Sequence, residues 1–381
     1  MKVIYNVNLV LPEQIIFDGI IFFDQQIRKI AVRESLSEAG AIELIDGKDG
    51  FLTPGLLDIH IHGSGGSDTM EGTYQALNNM SKSVVQSGVT GFLPTTMTMS
   101  LAKIRKAMAN IDYCRREGVA GARILGANME GPFINKQYKG AQAEANILKP
   151  DFKLVADYLD LMKITTIAPE VAGAEGLIRA LHERGVVIAA GHSGAECPQV
   201  LEAMNWGLSH VTHLFNAMTG LHHRKPGIVG AVFATELTCE IIADNIHIDP
   251  LVLKVVAQVK DPAQLILITD SMEAGGMADG EYSLGGQKVV VRNNNARLKD
   301  GVLAGSVLTM DRAIINMLNA SKLPLNQIIN MATLNPARLL KLDHRLGSLR
   351  EGLSADLVLL DTKMAVQRVY IGGEEKYNAM R

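Results

Sequence analysis

The sequence predicts an α/β protein: a (β/α)8 TIM barrel joined to a small β-sandwich built from both chain ends. Three observations lead there. Between Gly55 and Ser271, a short apolar run ending in a polar residue is followed by a helix-like segment eight times over. Apolar strands that alternate with amphipathic helices make a parallel sheet covered on both faces, and eight such units close into a barrel. Both chain ends carry short strand-like runs without that spacing, and neither end has enough apolar residues for its own core. The length of 381 residues accommodates one large barrel with a smaller partner, and 47% apolar with 20% charged residues is a folded composition.

Taken in order, residues 1–53 hold strand-like runs at 3–5, 19–23 and 27–30. The barrel is expected over 54–345, with strands at 56–62, 89–95, 123–130, 164–170, 186–192, 210–216, 239–247 and 265–270. The segments between them have helical periodicity. Residues 74–86 gather Leu77, Met80, Val84 and Val85 on one face, and 174–184 gather Leu177, Ile178 and Leu181. After the eighth run, 273–306 is rich in Gly and Asn and has strand-like stretches at 287–292 and 296–299, which predict a β-hairpin insertion over the barrel mouth. Residues 346–381 return with runs at 357–360 and 367–371 to complete the sandwich begun by 1–53.

Composition removes several classes of function. A net charge of −3 without a long Lys/Arg run argues against a nucleic-acid or acidic-membrane surface and suits a small-molecule enzyme. Cys114, Cys197 and Cys239 are sparse and form no Cys-x-x-Cys pair, so reduced thiols in small core positions are expected. The N-terminal apolar stretch is broken by Asn6, Asn8, Pro12 and Glu13, which predicts neither signal peptide nor membrane span and places the chain in the cytoplasm.

The chemistry begins at His60-Ile61-His62. Residues two apart on a strand point the same way, so two imidazoles at one strand end can share a divalent metal. Taken alone, the pair fits a polar strand face equally well. It gains force from other strand ends, where barrel enzymes carry their reactive groups: Glu130 on the third, His192 on the fifth, His213 on the sixth and Asp270 on the eighth. A single buried His or an Asp at a helix start needs no metal to explain it. Five strand ends offering ligands together do. Imidazoles and carboxylates without Cys suit Zn, Fe, Co or Mn in a catalytic site. Such a site lowers the pKa of bound water from about 15.7 to roughly 7. A nearby carboxylate can take the remaining proton and later protonate the leaving group. Asp270 suits that task, and Glu130 can bridge two ions.

With these residues in hand, the chain resembles the amidohydrolase superfamily, and within it the N-acetylglucosamine-6-phosphate deacetylases. The resemblance spans nearly the full length. It rests on Thr53-Pro54-Gly55 through His62-Gly63, Glu130-Gly131-Pro132-Phe133, Ala168-Pro169-Glu170, Gly191-His192-Ser193, His213 through Met218, and Ala243-Asp244-Asn245-Ile246-His247. Thr269-Asp270, Gly305-Ser306 through Thr309-Met310, and Gly347-Ser348-Leu349 through Val358 extend it. The resemblance implies that Glu130, His192 and His213 hold one metal. Because both His60 and His62 are present, it implies a second ion bridged by Glu130, with Asp270 as ligand and catalytic acid/base. Asn216, Ala217, Arg224 and His247 match substrate-contacting positions, Arg224 offering a cationic fork to a sugar phosphate. Gln142 stands where many members have His and is expected near the substrate carbonyl, able to donate a hydrogen bond but not to carry charge. In related deacetylases the loop of Arg224 reaches an adjacent subunit, so a homodimer is implied.

The implied reaction is metal-dependent hydrolysis of the acetamide of N-acetylglucosamine 6-phosphate to glucosamine 6-phosphate and acetate, a step of amino-sugar catabolism. The galactosamine epimer, different only at the 4-hydroxyl, is the alternative. Other amidohydrolases such as dihydroorotase or D-aminoacylase usually bridge their metals with a carboxylated lysine, and Ala168-Pro169-Glu170 offers none. A non-catalytic scaffold of the same fold would have lost ligands that are all present here.

Overall fold

Eight parallel strands make the barrel: Leu56–Ile61, Val89–Thr96, Ala127–Glu130, Met162–Ile167, Val187–Ala190, Leu208–Val211, Thr238–Ile242 and Leu265–Ile268. They pair in sequence order. The structure, a computed structural model, describes residues 1–32 and 43–379; 33–42 and 380–381 of the expected sandwich lie outside the described residues. Strands covered on both faces read as unbroken apolar runs, and Leu265–Ile268 is buried at every position. The first and eighth strands meet at their C-terminal ends. There the Asp270 N–H donates to the His60 carbonyl and the His62 N–H to the Ser271 carbonyl, both at 2.9 Å. Closure therefore falls on the residues that carry the candidate ligands.

Several strands are shorter than their apolar runs. The run at 123–130 divides into Arg123–Ile124 and Ala127–Glu130. Gly126 lies between the two pieces at φ 152°, where an added Cβ would sit 2.7 Å from the Leu161 carbonyl oxygen. The run at 164–170 stops at Ile167, ahead of Pro169, which has no N–H for a ladder bond. The fifth, sixth and eighth strands end before His192, His213 and Asp270, which sit in the turns that follow, at φ 47°, 28° and 49°. Helices Tyr74–Val84 and Ala174–His182 bury Leu77, Met80 and Val84, and Leu177, Ile178 and Leu181, against the barrel, as their periodicity predicts.

Both chain ends join in one seven-stranded sheet, in the order Glu374–Asn378, Val366–Ile371, Leu357–Leu360, Glu43–Pro54, Lys2–Val10, Ile15–Phe23, Ile27–Val32. The seam is antiparallel, Leu357 opposite Pro54 and Leu360 opposite Phe51. Its core includes Ile4, Leu9, Ile21, Leu52 and Leu357, with Phe23 and Tyr370 edge to face at 5.3 Å. The insertion after the eighth strand differs from the expected hairpin. It is a three-stranded antiparallel sheet, Gly280–Leu284, Gln287–Arg292 and Asn295–Leu298. Its first strand, Gly-Glu-Tyr-Ser-Leu, has too few apolar residues to stand out. Gln287 donates to the Ala141 carbonyl and so ties the insertion to the loop after the third strand. All three cysteines are free, and no described helix is long and apolar enough to cross a membrane.

Candidate metal centre and active site

Six predicted ligands come together at the barrel mouth as two triads: His60, His62 and Asp270, and Glu130, His192 and His213. All six are buried. Glu130 faces both triads. Its Oε1 is 3.0 Å from the Nε2 atoms of both His192 and His213, and its Oε2 is 3.4 Å from His62 Nε2. Asp270 Oδ1 lies 3.4 Å from His60 Nε2 and 3.3 Å from His62 Nε2.

The outer nitrogens explain which atoms point inward. His192 Nδ1 is 3.0 Å from the Tyr138 carbonyl, His62 Nδ1 is 3.3 Å from the Thr95 carbonyl, and His60 Nδ1 is 2.9 Å from Glu240 Oε2. Each of these partners is an acceptor, so each Nδ1 donates. A neutral imidazole has one N–H, so the three Nε2 atoms present lone pairs. Yet His192 Nε2 is 3.2 Å from His213 Nε2, and His60 Nε2 is 3.4 Å from His62 Nε2. Lone pairs aimed at one another and at carboxylates repel unless positive charge lies between them. Donors bound at about 2.0–2.1 Å around a tetrahedral ion stand roughly 3.3 Å apart. The nitrogen and oxygen donor set without sulfur, at these separations, fits a borderline divalent cation such as Zn, Fe, Co or Mn.

Electrostatics say the same. Burial opposes the charged form of His60, but Glu240, Glu130 and Asp270 overcome it and raise its pKa to about 9. His62, equally opposed by burial, is held well above its usual value by Asp270 and Glu130. Burial would raise the pKa of Glu130, yet His192, His213 and His60 hold it well below the usual carboxylate range. Asp270 is likewise lowered against burial, by His62, His60 and His213. The two carboxylates are thus held as anions, and the imidazoles beside them are drawn toward positive charge.

Above the ligands opens a cavity of about 390 Å³. Its wall includes Gln142, Asn216, Ala217 and His247, all predicted substrate contacts, together with Leu284, Arg297 and Leu303 from the insertion and the turn after it. Gln142 is already engaged: its Oε1 accepts from the Thr98 N–H at 2.7 Å and its Nε2 donates to Glu130 Oε2 at 2.5 Å. His247 Nδ1 pairs with Asp244 Oδ2 at 2.6 Å. Arg224 is not on this wall. It is exposed, with Nη1 2.7 Å from His223 Nε2. A larger cavity of about 570 Å³, beside Asp58, Lys82 and Asp311, contains none of the six ligands.

Two residues of the site were not anticipated. Arg297 reaches the cavity through a strand of the insertion that sequence alone does not aim anywhere. Glu240 is fully buried beside His60, and its signal was a lone carboxylate inside the apolar strand Thr238–Ile242.

Comparison with known proteins matches residues 51–376 to the Amidohydrolase family. An N-acetylglucosamine-6-phosphate deacetylase of Lysinibacillus sphaericus is 37% identical, the match covering 91% of this chain and 90% of that protein. An N-acetylgalactosamine-6-phosphate deacetylase of Escherichia coli O157:H7 is also 37% identical, over 85% of this chain and 87% of its own. Among solved structures, an N-acetylglucosamine-6-phosphate deacetylase from Thermotoga maritima superposes with a TM-score of 0.90 at 32% identity, covering 99% of this chain and all of that one.

Proposed function

Because the chain belongs to the amidohydrolase family, we propose that its mouth cavity hydrolyses the acetamide of N-acetylglucosamine 6-phosphate, giving glucosamine 6-phosphate and acetate in amino-sugar catabolism. The observation that carries this reading is the pair of triads joined through Glu130, with Asp270 on the cavity wall. Glu130, His192 and His213 would hold one divalent ion, and His60, His62 and Asp270 a second that shares Glu130. When bound, a divalent cation polarises the amide carbonyl and makes water acidic enough to ionise near neutral pH.

The remaining work belongs to the chain. Asp270, ionised because its pKa is depressed, takes the proton of the attacking water and returns it to the departing amine nitrogen. Gln142 braces Glu130 and the Thr98 backbone beside the acetyl group, and its hold on Glu130 limits it to an indirect part in substrate binding. His247, fixed by Asp244, and Asn216 and Ala217 line the wall against which the sugar rests. Leu284 and Leu303 close the apolar side and exclude water. Arg224, outside the cavity of its own chain, serves the 6-phosphate of a neighbouring chain in a cytoplasmic homodimer.

The galactosamine epimer is the second reading, favoured by the relative of equal identity that acts on it. Acetate release from the two epimeric 6-phosphates, with metal supplied, decides between them. A higher kcat/KM on the gluco epimer is the expected result. A preference for the galacto epimer would install the second reading, and no release from either would end both.

A further inference from the structure

Glu240 lies on the seventh strand, Thr238–Ile242, with no exposed surface. A carboxylate in such a place is tolerated only when hydrogen bonds and charges satisfy it. Its Oε2 accepts from His60 Nδ1 and from the His213 backbone N–H, both at 2.9 Å. Its own carbonyl accepts the Leu214 N–H at 2.9 Å. One residue therefore grips two successive N–H groups of the turn that presents His213, and that turn is held in the left-handed region at φ 28°. The outer nitrogen of the His213 ring, Nδ1, has no hydrogen-bond partner, so the backbone turn is what sets the ring's direction from outside the cluster. His192 and His62, by contrast, are each fixed through Nδ1 by a backbone carbonyl.

We propose that Glu240 is the positioning residue that couples the two triads: a single buried carboxylate fixes the ring of His60 in one and the turn of His213 in the other. It rests on the reading that the triads hold metal ions. With His60 Nδ1–H given to Glu240, Nε2 is left to bind, and a metal ligand's outer hydrogen bond sets both its tautomer and its direction. The rival explanation is structural. Glu240 Oε1 lies 3.4 Å from His210 Nε2, and His210 Nδ1 lies 2.7 Å from Thr238 Oγ1, so Glu240 could simply be the counter-charge of a buried His210.

The test titrates the metal-free, full-length chain with Co²⁺, reading calorimetric stoichiometry and the visible cobalt spectrum. Wild type is expected to take up two ions. Glu240→Gln, which keeps size and removes the second acceptor oxygen, should weaken uptake at the His60 triad about 10- to 100-fold and perturb the spectrum of the ion at His213. His210→Gln should leave both unchanged. Wild-type affinity at both sites in Glu240→Gln, or equal losses in both variants, would overturn the proposal. A readout on wild type alone covers the case in which Glu240→Gln does not fold. In ¹⁵N-histidine-labelled protein, the His60 signal, identified by its loss in His60→Gln, should report a protonated Nδ1. An Nδ1 without a proton would overturn the proposal as well. Uptake of no ion by wild type would overturn the metal reading instead, and the His60 tautomer would still judge Glu240.

Discussion

His192, His213 and Asp270 all leave their strands with positive φ, a conformation that costs roughly 1–3 kcal/mol at each non-glycine residue. The strain has a use. A side chain continuing along the strand would face either the barrel interior or the helices outside, whereas the left-handed turns leave all three at the mouth, in the cluster with Glu130. These candidate ligands were legible in sequence because each is a His or Asp at the end of an apolar run, the position from which barrel sites are built. Glu240 was not, because a buried carboxylate in mid-strand has no spacing rule and is recognised only by what it touches. The residue-scale prediction concerns Asp270. Asn matches Asp in shape and tolerates the left-handed region, so Asp270→Asn should keep the fold and the other ligands. It cannot carry the proton, and kcat should fall about 10²- to 10⁴-fold. Steady-state rates within tenfold of wild type would remove Asp270 from the proton path.

The strands themselves show where periodicity stops being informative. Apolar runs located all eight barrel strands, but several overshot, since the run continues into the turn after the ladder has ended. Local backbone chemistry sets those ends: Pro169 stops the fourth strand, and Gly126 divides the third. The long strand Glu43–Pro54 escaped notice for the opposite reason. Its burial alternates and much of one face is exposed, so Asp46, Lys48 and Asp49 interrupt the apolar signal. Gly126 gives this scale its prediction. At φ 152°, with the Leu161 carbonyl oxygen 2.7 Å from any added Cβ, Gly126→Val forces either the backbone or the fourth strand to shift. A loss of about 1–3 kcal/mol in urea denaturation is expected. Unaltered stability would show that the break is adaptable and that the third strand's offset does not depend on glycine.

At the scale of the molecule, the first, third, fifth, sixth and eighth strands, or the turns that follow them, each contribute candidate ligands to one cluster. An ion bound there links distant stretches of chain and stabilises only the folded state, by about 2.7 kcal/mol when free metal is a hundred times Kd. Chelation should therefore lower Tm and added Zn²⁺ restore it; a Tm indifferent to metal would mean that the cluster carries none. The phosphate raises the question of the second subunit. The 6-phosphate is a dianion and is kept from the carboxylates of the cluster only by fixed positive charge elsewhere. Within one chain the cavity wall offers Arg297, whose Nη1 already donates to the Gly301 carbonyl at 2.7 Å, while Arg224 stands exposed outside it. If Arg224 completes a neighbouring chain's site, Arg224→Met should lower kcat/KM about tenfold to a hundredfold on the phosphorylated sugar and little on the unphosphorylated one. Mixing then separates the two geometries. In a dimer of one Arg224→Met chain and one Asp270→Asn chain, the first chain's Asp270 meets the second chain's Arg224, and one complete site is rebuilt. Co-expressed and randomly paired, the two variants should recover about a quarter of wild-type activity, since half the dimers are mixed and each has one working site. Recovery no greater than the sum of the separate variants, with Arg297→Met showing the phosphate-selective loss instead, would place the anion on Arg297 within a single chain.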